Sequence, residues 1–459
     1  MSKFNLSLVA SIVVASAFFV SDAKAQSLEQ AVASALHTHP EIRQAFSRFK
    51  SREEDVNAAS SGYLPSVDVT AGYGYEFVDS PAQRRSALGR GDGQTELMRG
   101  EFGITIRQLL FDGMLTSSEV DRNLYEAGAD KWTLLSTAED LALAVSRAYL
   151  IAIKAEQFVI LSKKNVASHE EILVQIKERT ESGVGSIADL SQATGRLARA
   201  QSNLIAAQNN LLDAQTQYYR LTNTRAKNLV MPVPDADMLP ANEKEGLQLA
   251  IAKHPVIKSA SQDIKAATAF KDSVKASYYP TFTLELEANS DNDINGESGE
   301  NLLGATVGGH RNDFRAMVRM RYNLYEGGRN VAQEKSAAYK VSEAQEINYS
   351  AHRQVTEGYG LAWNAYEMLA RQKKYIKEHI ITSKETQLAY KQQFSLGQRS
   401  LLDLLDTENE LFQARTDYLN AHFDEVVAKY RVLNATGQLL TSFRITTSEL
   451  WQGEHQYDE

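Results

Sequence analysis

Phe102-Gly-Ile-Thr-Ile-Arg-Gln-Leu-Leu-Phe-Asp-Gly-Met-Leu115 decides the fold, because within it the hydrophobic period changes from that of a strand to that of a helix. Phe102, Ile104 and Ile106 alternate with Gly103, Thr105 and Arg107, so one face is apolar and the other polar. Phe111-Asp112-Gly113 closes the strand, and from Leu115 to about Glu181 no proline occurs and only Gly128 interrupts. At about 1.5 Å per residue such a helix runs roughly 100 Å. Upstream, Val67, Val69, Ala71, Tyr73, Tyr75 and Phe77 alternate with Asp68, Thr70, Gly72, Gly74 and Glu76, which predicts a first strand across a Gly- and charge-rich loop.

The same passage returns later in the chain. Leu110-Phe111-Asp112-Gly113 meets Leu324-Tyr325-Glu326-Gly327, and His39-Pro40-Glu41-Ile42 meets His254-Pro255-Val256-Ile257. Gly183 and Asp189 meet Gly397 and Asp403, and Ala200, Ala207 and Ala214 meet Ala414, Ala421 and Ala428. The offset stays at 214 or 215 residues (189 to 403, 39 to 254), too long for a solenoid repeat. This predicts a duplicated domain: a first repeat over 26–222, a proline-bearing linker over 223–240, a second repeat over 241–437 and a tail over 438–459. Each half reads helix, strand, strand, long helix, turn, helix, with the first helix of the first half running from Leu28 to Ser61. In the second half Phe282, Leu284 and Leu286 alternate with Thr283, Glu285 and Glu287. The return strand sets Phe314, Ala316, Val318, Met320 and Tyr322 against Arg315, Arg319, Arg321 and Asn323.

The long helices carry heptads. Leu190, Leu197, Leu204, Leu211 and Tyr218 recur at sevens, with Ala193, Ala200, Ala207 and Ala214 three residues on, a pattern for close coiled-coil packing. Strands with one apolar and one charged face suit a tilted membrane span, although a half-buried soluble sheet alternates in the same way. If these strands cross a membrane, four cannot close a barrel, since transmembrane barrels begin at about eight, and no edge can be left open to lipid. Several copies must then share one barrel, and three copies, with twelve strands, leave room for water.

The N-terminus has Lys3, an apolar run from Leu6 to Val20 and Ala23-Lys24-Ala25, which predicts a cleaved signal peptide over 1–25. The chain has no cysteine, which removes disulfides and thiol chemistry, and its net charge of −9 offers no basic footprint for nucleic acid. No nucleophile, metal set or phosphate loop is evident, so an enzyme is not expected, nor any cofactor. Asp291, Asp293, Asn295 and Gly296 imitate half of a calcium loop, but position twelve is Leu302. His37 and His39 form a His-x-His pair, echoed in the second half by His254 alone, and no third ligand is evident, so no metal site is expected. The tail past Leu440 reads only as a mobile or groove-packed extension.

From about Gln26 to Leu440 the chain resembles the TolC family of outer-membrane efflux and type I secretion channels. The His-Pro pairs, the Tyr63-Leu64-Pro65 and Tyr278-Tyr279-Pro280 strand openings and the Phe-Asp-Gly and Tyr-Glu-Gly exits carry the likeness. So does Phe394-Ser-Leu-Gly-Gln-Arg-Ser-Leu-Leu-Asp-Leu-Leu-Asp406. The resemblance implies an α+β membrane protein: a homotrimer whose four strands per chain make a 12-stranded transmembrane β-barrel, continued by a coiled-coil tunnel through the periplasm. It implies an exit duct in outer-membrane lipid that works with a periplasmic adaptor (membrane fusion) protein and an inner-membrane pump, ABC or proton-driven. Drug and protein cargo are not distinguished. A structural coiled-coil envelope protein without a channel is the alternative reading of the same patterns.

By that resemblance Asp403 and Asp406, three apart and hence on one helix face, match acidic rings at the periplasmic entrance. Arg399 matches a latch arginine, Asp189 its acidic partner and Phe394 a tyrosine position of the same latch. The turns Gly183-Val184-Gly185-Ser186 and Leu396-Gly397-Gln398 match the tips that dock the adaptor.

Overall fold

The computed structural model describes residues 26–79, 81, 94–292, 299–300, 306–307, 309–446 and 448–457. The predicted signal peptide and the loop residues Asp293, Asn295, Gly296 and Leu302 lie outside these.

The two halves of the chain carry the same order of main elements. The first half holds α1 (Leu28–Thr38), α2 (Pro40–Ser60), β1 (Ser66–Asp79), β2 (Gln94–Phe111), α3 (Leu115–Glu181) and α4 (Ile187–Thr222). The second holds α5 (Glu243–Lys253), α6 (Pro255–Lys275), β3 (Thr281–Asn292), β4 (His310–Arg321), α7 (Arg329–Ser395) and α8 (Leu401–Ala435), with α9 (Leu439–Ser442) after it. The expected first helix, Leu28 to Ser61, is in fact two. His39 is extended, with φ −70° and ψ 133°, and Pro40 starts α2. A residue before proline is crowded out of the helical region, and proline suits the first helical position. His254 breaks the second half identically, and its Nδ1 accepts from Val256 N at 3.3 Å to cap α6.

The four long strands form one antiparallel sheet in chain order β1-β2-β3-β4. Its register aligns the alternation across every strand: Val69 faces Ile104, Ile104 faces Ala288, and Ala288 faces Phe314. One face therefore collects the apolar side chains. The other collects ion pairs, Arg107 with Asp68 at 3.2 Å, Arg315 with Glu287 at 3.4 Å and Arg319 with Glu285. Among the described residues no protein layer covers the apolar face: Val69 is 61 %, Phe314 71 % and Tyr73 78 % exposed. A soluble sheet would bury this face, and here it remains open.

The chain divides into two compact units. The first comprises described parts of Met1–Ser34, Val145–Val233 and Thr382–Asn420. Its helices meet through alanine: Ala193, Ala200, Ala207 and Ala214 are at most 3 % exposed, while the leucines beside them are half-buried. The alanines are thus the close-contact positions and the leucines flank the seam. Tyr149 anchors the unit's chain crossing. Its hydroxyl accepts from Val230 N at 2.9 Å and shares its proton between the carbonyls of Gln26 and Val230, each at 2.7 Å. Burial pushes that phenol up to about 12, so it stays a donor.

The second unit holds the sheet and the tail. The tail is packed into a groove. Glu53, 2 % exposed, accepts from Glu454 N at 2.7 Å and from the Tyr457 hydroxyl at 2.9 Å, beside Lys50 at 2.6 Å. Gly453, at φ +82°, has no room for a Cβ, which would stand 2.3 Å from Glu53 Oε1. Glu139, 6 % exposed, accepts from the amides of Leu439 and Leu440 at 3.1 and 3.2 Å.

Burial pushes the Glu139 carboxyl up to about 8, against the two amide hydrogen bonds. Its unfolded counterpart ionises near 4.5, so between those values the folded state binds more protons. Packing of α9 is therefore expected to weaken as pH rises from about 4.5 to 8, by at most about 1.4 kcal/mol per pH unit. Limited proteolysis of the tail at pH 6 and pH 9 checks this: wild type should be cut faster at pH 9, and Glu139→Gln should flatten the difference. An equal pH slope in both proteins would discard Glu139 as its source.

Candidate functional site

The first unit gathers every sequence-predicted site residue. A core of Ile172 and Ile176 from α3, Ala193 from α4, Phe394 from α7, and Leu401, Leu404 and Leu405 from α8 closes the ends of the two helical hairpins. The spacing of those three leucines turns Asp403, between them, and Asp406, just after them, away from the core. Asp406 is exposed and Asp403 partly so. The two carboxylates share one face, as their spacing implies.

The turns are set by glycine. Gly183 and Gly397 have φ of +77° and +76°, the left-handed region that favours glycine, and each ends a 67-residue helix. After Gly183, Val184 N and Gly185 N both donate to Arg179 O, at 3.0 and 2.9 Å, and Gln398 N donates to Gln393 O at 2.9 Å in the other turn. A Cβ on Gly185 would lie 2.9 Å from Thr180 N. Ser186 caps α4 by accepting from Ala188 N at 3.1 Å. Val184, Ile187 and Leu396 stand 82, 76 and 72 % exposed, an apolar crown on otherwise polar tips.

The residues expected to form a latch take other partners within the chain. Arg399 lies over the Tyr390 ring at 4.3 Å, donates from Nε to Gln393 Oε1 at 2.9 Å and stands 3.9 Å from Asp403. The Asp189 side chain makes no hydrogen bond or ion pair within the chain among the described residues, so Arg399 and Asp189 are not joined inside one protomer. Asp403 closes a capping box with Ser400: its Oδ2 accepts from Ser400 N and Oγ at 3.3 and 2.8 Å, while Ser400 Oγ accepts from Asp403 N at 3.2 Å. Phe394 is buried beneath the Arg179 guanidinium at 4.5 Å, which also donates to Phe394 O at 3.2 Å.

Two further residues escape sequence reading. Arg196 of α4 donates to Asp406 of α8, Nη2 to Oδ1, at 3.1 Å. His169 lies in the α3 seam at 6 % exposure with Nδ1 unbonded. Burial first, then the Arg196 cation, hold its imidazole below the usual range. His169 continues the four-three spacing of Val159, Ser162 and Val166 along α3, a pattern of buried positions that is the one signal marking it. Nothing local marks Arg196, whose partner is 210 residues away.

No described helix is long and apolar enough to cross a membrane. The uncovered apolar face of the sheet is the largest open apolar surface among the described residues. The family model of the outer membrane efflux protein matches residues 31–224 and again 246–438. The outer membrane efflux protein BepC of Brucella suis biovar 1 (strain 1330) is 24 % identical over 417 residues, covering 91 % of this chain and 86 % of BepC. The outer membrane protein TolC of Vibrio cholerae serotype O1 is 21 % identical over 433 residues, covering 90 % and 91 %. Among solved structures, the Campylobacter jejuni CmeC outer membrane channel superposes with a TM-score of 0.77 at 14 % identity, covering 90 % of this chain and 86 % of CmeC. Vibrio cholerae VceC gives 0.75 at 14 %, covering 90 % and 96 %. With its strands and long helices arranged as in those channels and its family model matched over most of its length, the chain belongs to the outer membrane efflux protein family and resides in the outer membrane.

Proposed function

We propose that three copies of this chain form a passive exit duct, a 12-stranded barrel continued by a helical tunnel whose tips make a gated entrance. The observation that carries this is the open sheet. Its apolar face is uncovered, and the outer edges of β1 and β4 pair with no further strand among the described residues. An unpaired edge in hydrocarbon is prohibitive, so β1 must pair with β4 of another copy. The helices support the same reading. On α4, Ile205, Leu212 and Tyr219 form a second stripe at sevens and remain 67, 61 and 48 % exposed. A heptad stripe without an intrachain partner is a seam for a neighbouring helix.

Relatives carry names such as toluene efflux pump outer membrane protein TtgF, which supports placing this duct downstream of an inner-membrane pump. The exposed crown at Val184, Ile187 and Leu396 is the surface we assign to the periplasmic adaptor, within the tips at 183–186 and 396–398. Asp403, Asp406, Arg399, Asp189 and Phe394 are the entrance residues in this reading, with Arg399 reaching Asp189 of a neighbouring copy rather than its own. Transport of this kind uses no catalytic group or cofactor.

Light scattering of the purified mature protein in detergent should give three times the chain mass, and planar bilayers should show single-channel conductance. A Leu212→Glu chain should lose the trimer, since three charges would enter the α4 seam without partners. A wild-type protein that stays monomeric and non-conducting when folded in detergent would reject the duct.

A further inference from the structure

We infer that Arg196 sets the charge of the acidic entrance, by neutralising Asp406 from within its own chain. This rests on the duct reading given above. Asp403 and Asp406 look alike in sequence, yet the structure treats them differently. Asp403 is tied by Ser400 into the first turn of α8, and Arg399 stands off at 3.9 Å, held elsewhere by Tyr390 and Gln393. Asp406 makes no such cap, and its partner is a guanidinium from a different helix at 3.1 Å.

The placement of Arg196 explains why it reaches so directly. It sits one turn beyond Ala193, which is 2 % exposed and allows α4 to approach α8 where Leu404 and Leu405 are 1 and 0 % exposed. Arg196 reaches Asp406 with its own side chain only 27 % exposed. His169 has an unbonded Nδ1, and burial followed by the Arg196 cation disfavours its charged form. The nearby carboxylate Glu171 is occupied by Lys391 at 3.0 Å, and Glu408 by the Gln387 amide. Arg196 therefore has Asp406 as its counter-ion.

In three copies the entrance is then an alternation of Arg196–Asp406 pairs and singly charged Asp403 positions, not a continuous acidic ring. The ligand class affected is cations, above all divalent ones, because ring charge governs their binding at a constriction. A unit positive charge about 6 Å from a divalent ion in water costs it roughly tenfold in affinity. Arg196 thus makes the entrance less retentive of cationic solutes than its carboxylates alone would.

The test is block of planar-bilayer conductance by Mg²⁺ added on the tip side, with the K⁺/Cl⁻ reversal potential measured on the same channels. Wild type, Arg196→Lys, Arg196→Gln and the pair Arg196→Gln with Asp406→Asn are compared. Arg196→Gln should strengthen block about tenfold and shift reversal toward cation selectivity. Arg196→Lys should stay near wild type, and the double variant should return most of the way. Unchanged block and reversal in Arg196→Gln would overturn the assignment. So would a double variant that keeps the full gain, because the gain would then come from a changed helix position instead of an unmasked Asp406. A wild-type trimer without conductance overturns the duct itself and this inference with it, an outcome distinct from the other two.

Discussion

Replacing Ile104 with arginine is expected to deplete the outer membrane of assembled protein. Ile104 lies in β2, an inner strand, with Val69 opposite on one side and Ala288 on the other, so it sits within the continuous apolar face. A cationic side chain on the lipid face of a membrane strand costs about 2–4 kcal/mol near the bilayer midplane. Three copies meet the penalty at once, which gives roughly 6–12 kcal/mol per trimer, comparable to the whole stability of an ordinary domain. The neighbouring Thr105 belongs to the opposite face, beside Asp68 and Glu287, where ionic side chains already pair. Thr105→Arg should therefore insert. The comparison is read as heat-modifiable migration of outer-membrane fractions: wild type and Thr105→Arg should shift on heating, and Ile104→Arg should not. Normal insertion of Ile104→Arg would mean that the apolar face does not meet lipid.

The second large effect concerns the entrance. The double substitution Asp403→Ala with Asp406→Ala should abolish most divalent block, raising the half-blocking Mg²⁺ concentration by at least about tenfold. The substitutions remove one charge that α8 uses in its own cap and one that Arg196 holds. Ser400 still caps α8 through its hydroxyl, so the loss of the box costs only about 1 kcal/mol locally. The core beneath, Leu401, Leu404 and Leu405, is untouched. Conductance itself should persist, because the core that holds the tip helices together is kept. Block that survives the double substitution would leave the channel in place and remove both aspartates from its entrance.

Much of this architecture is legible in the order of residues because strands and helices are local periodicities. Alternation from Val67 to Phe77 predicts the apolar face of β1, and the proline-free run from Leu115 to Glu181 predicts α3 with its observed ends. Gly183 and Gly397 announce the reversals, since each must adopt positive φ. The duplicated His-Pro pairs show where local reading falls short. Helical periodicity runs through His39, but the steric demand of Pro40 on the residue before it outweighs that pattern and splits the helix. In the tail no period exists, so its seat on Glu53 and Glu139 is invisible beforehand.

The site divides along the same line. Sequence alone was enough to place Asp403 and Asp406 on one face and the tips at glycine turns, because spacing of three and a required backbone conformation are properties of a few consecutive residues. The partners of those residues came only from the folded chain. Arg196 meets Asp406 across 210 residues, Arg179 meets Phe394 across 215, and Glu139 meets Leu439 across 300. Such pairs depend on the axial register between helices, and that register is set where alanine seams let two helices approach. A shift of one turn in that packing, about 5.4 Å, would give Asp406 a different neighbour while leaving every local pattern intact.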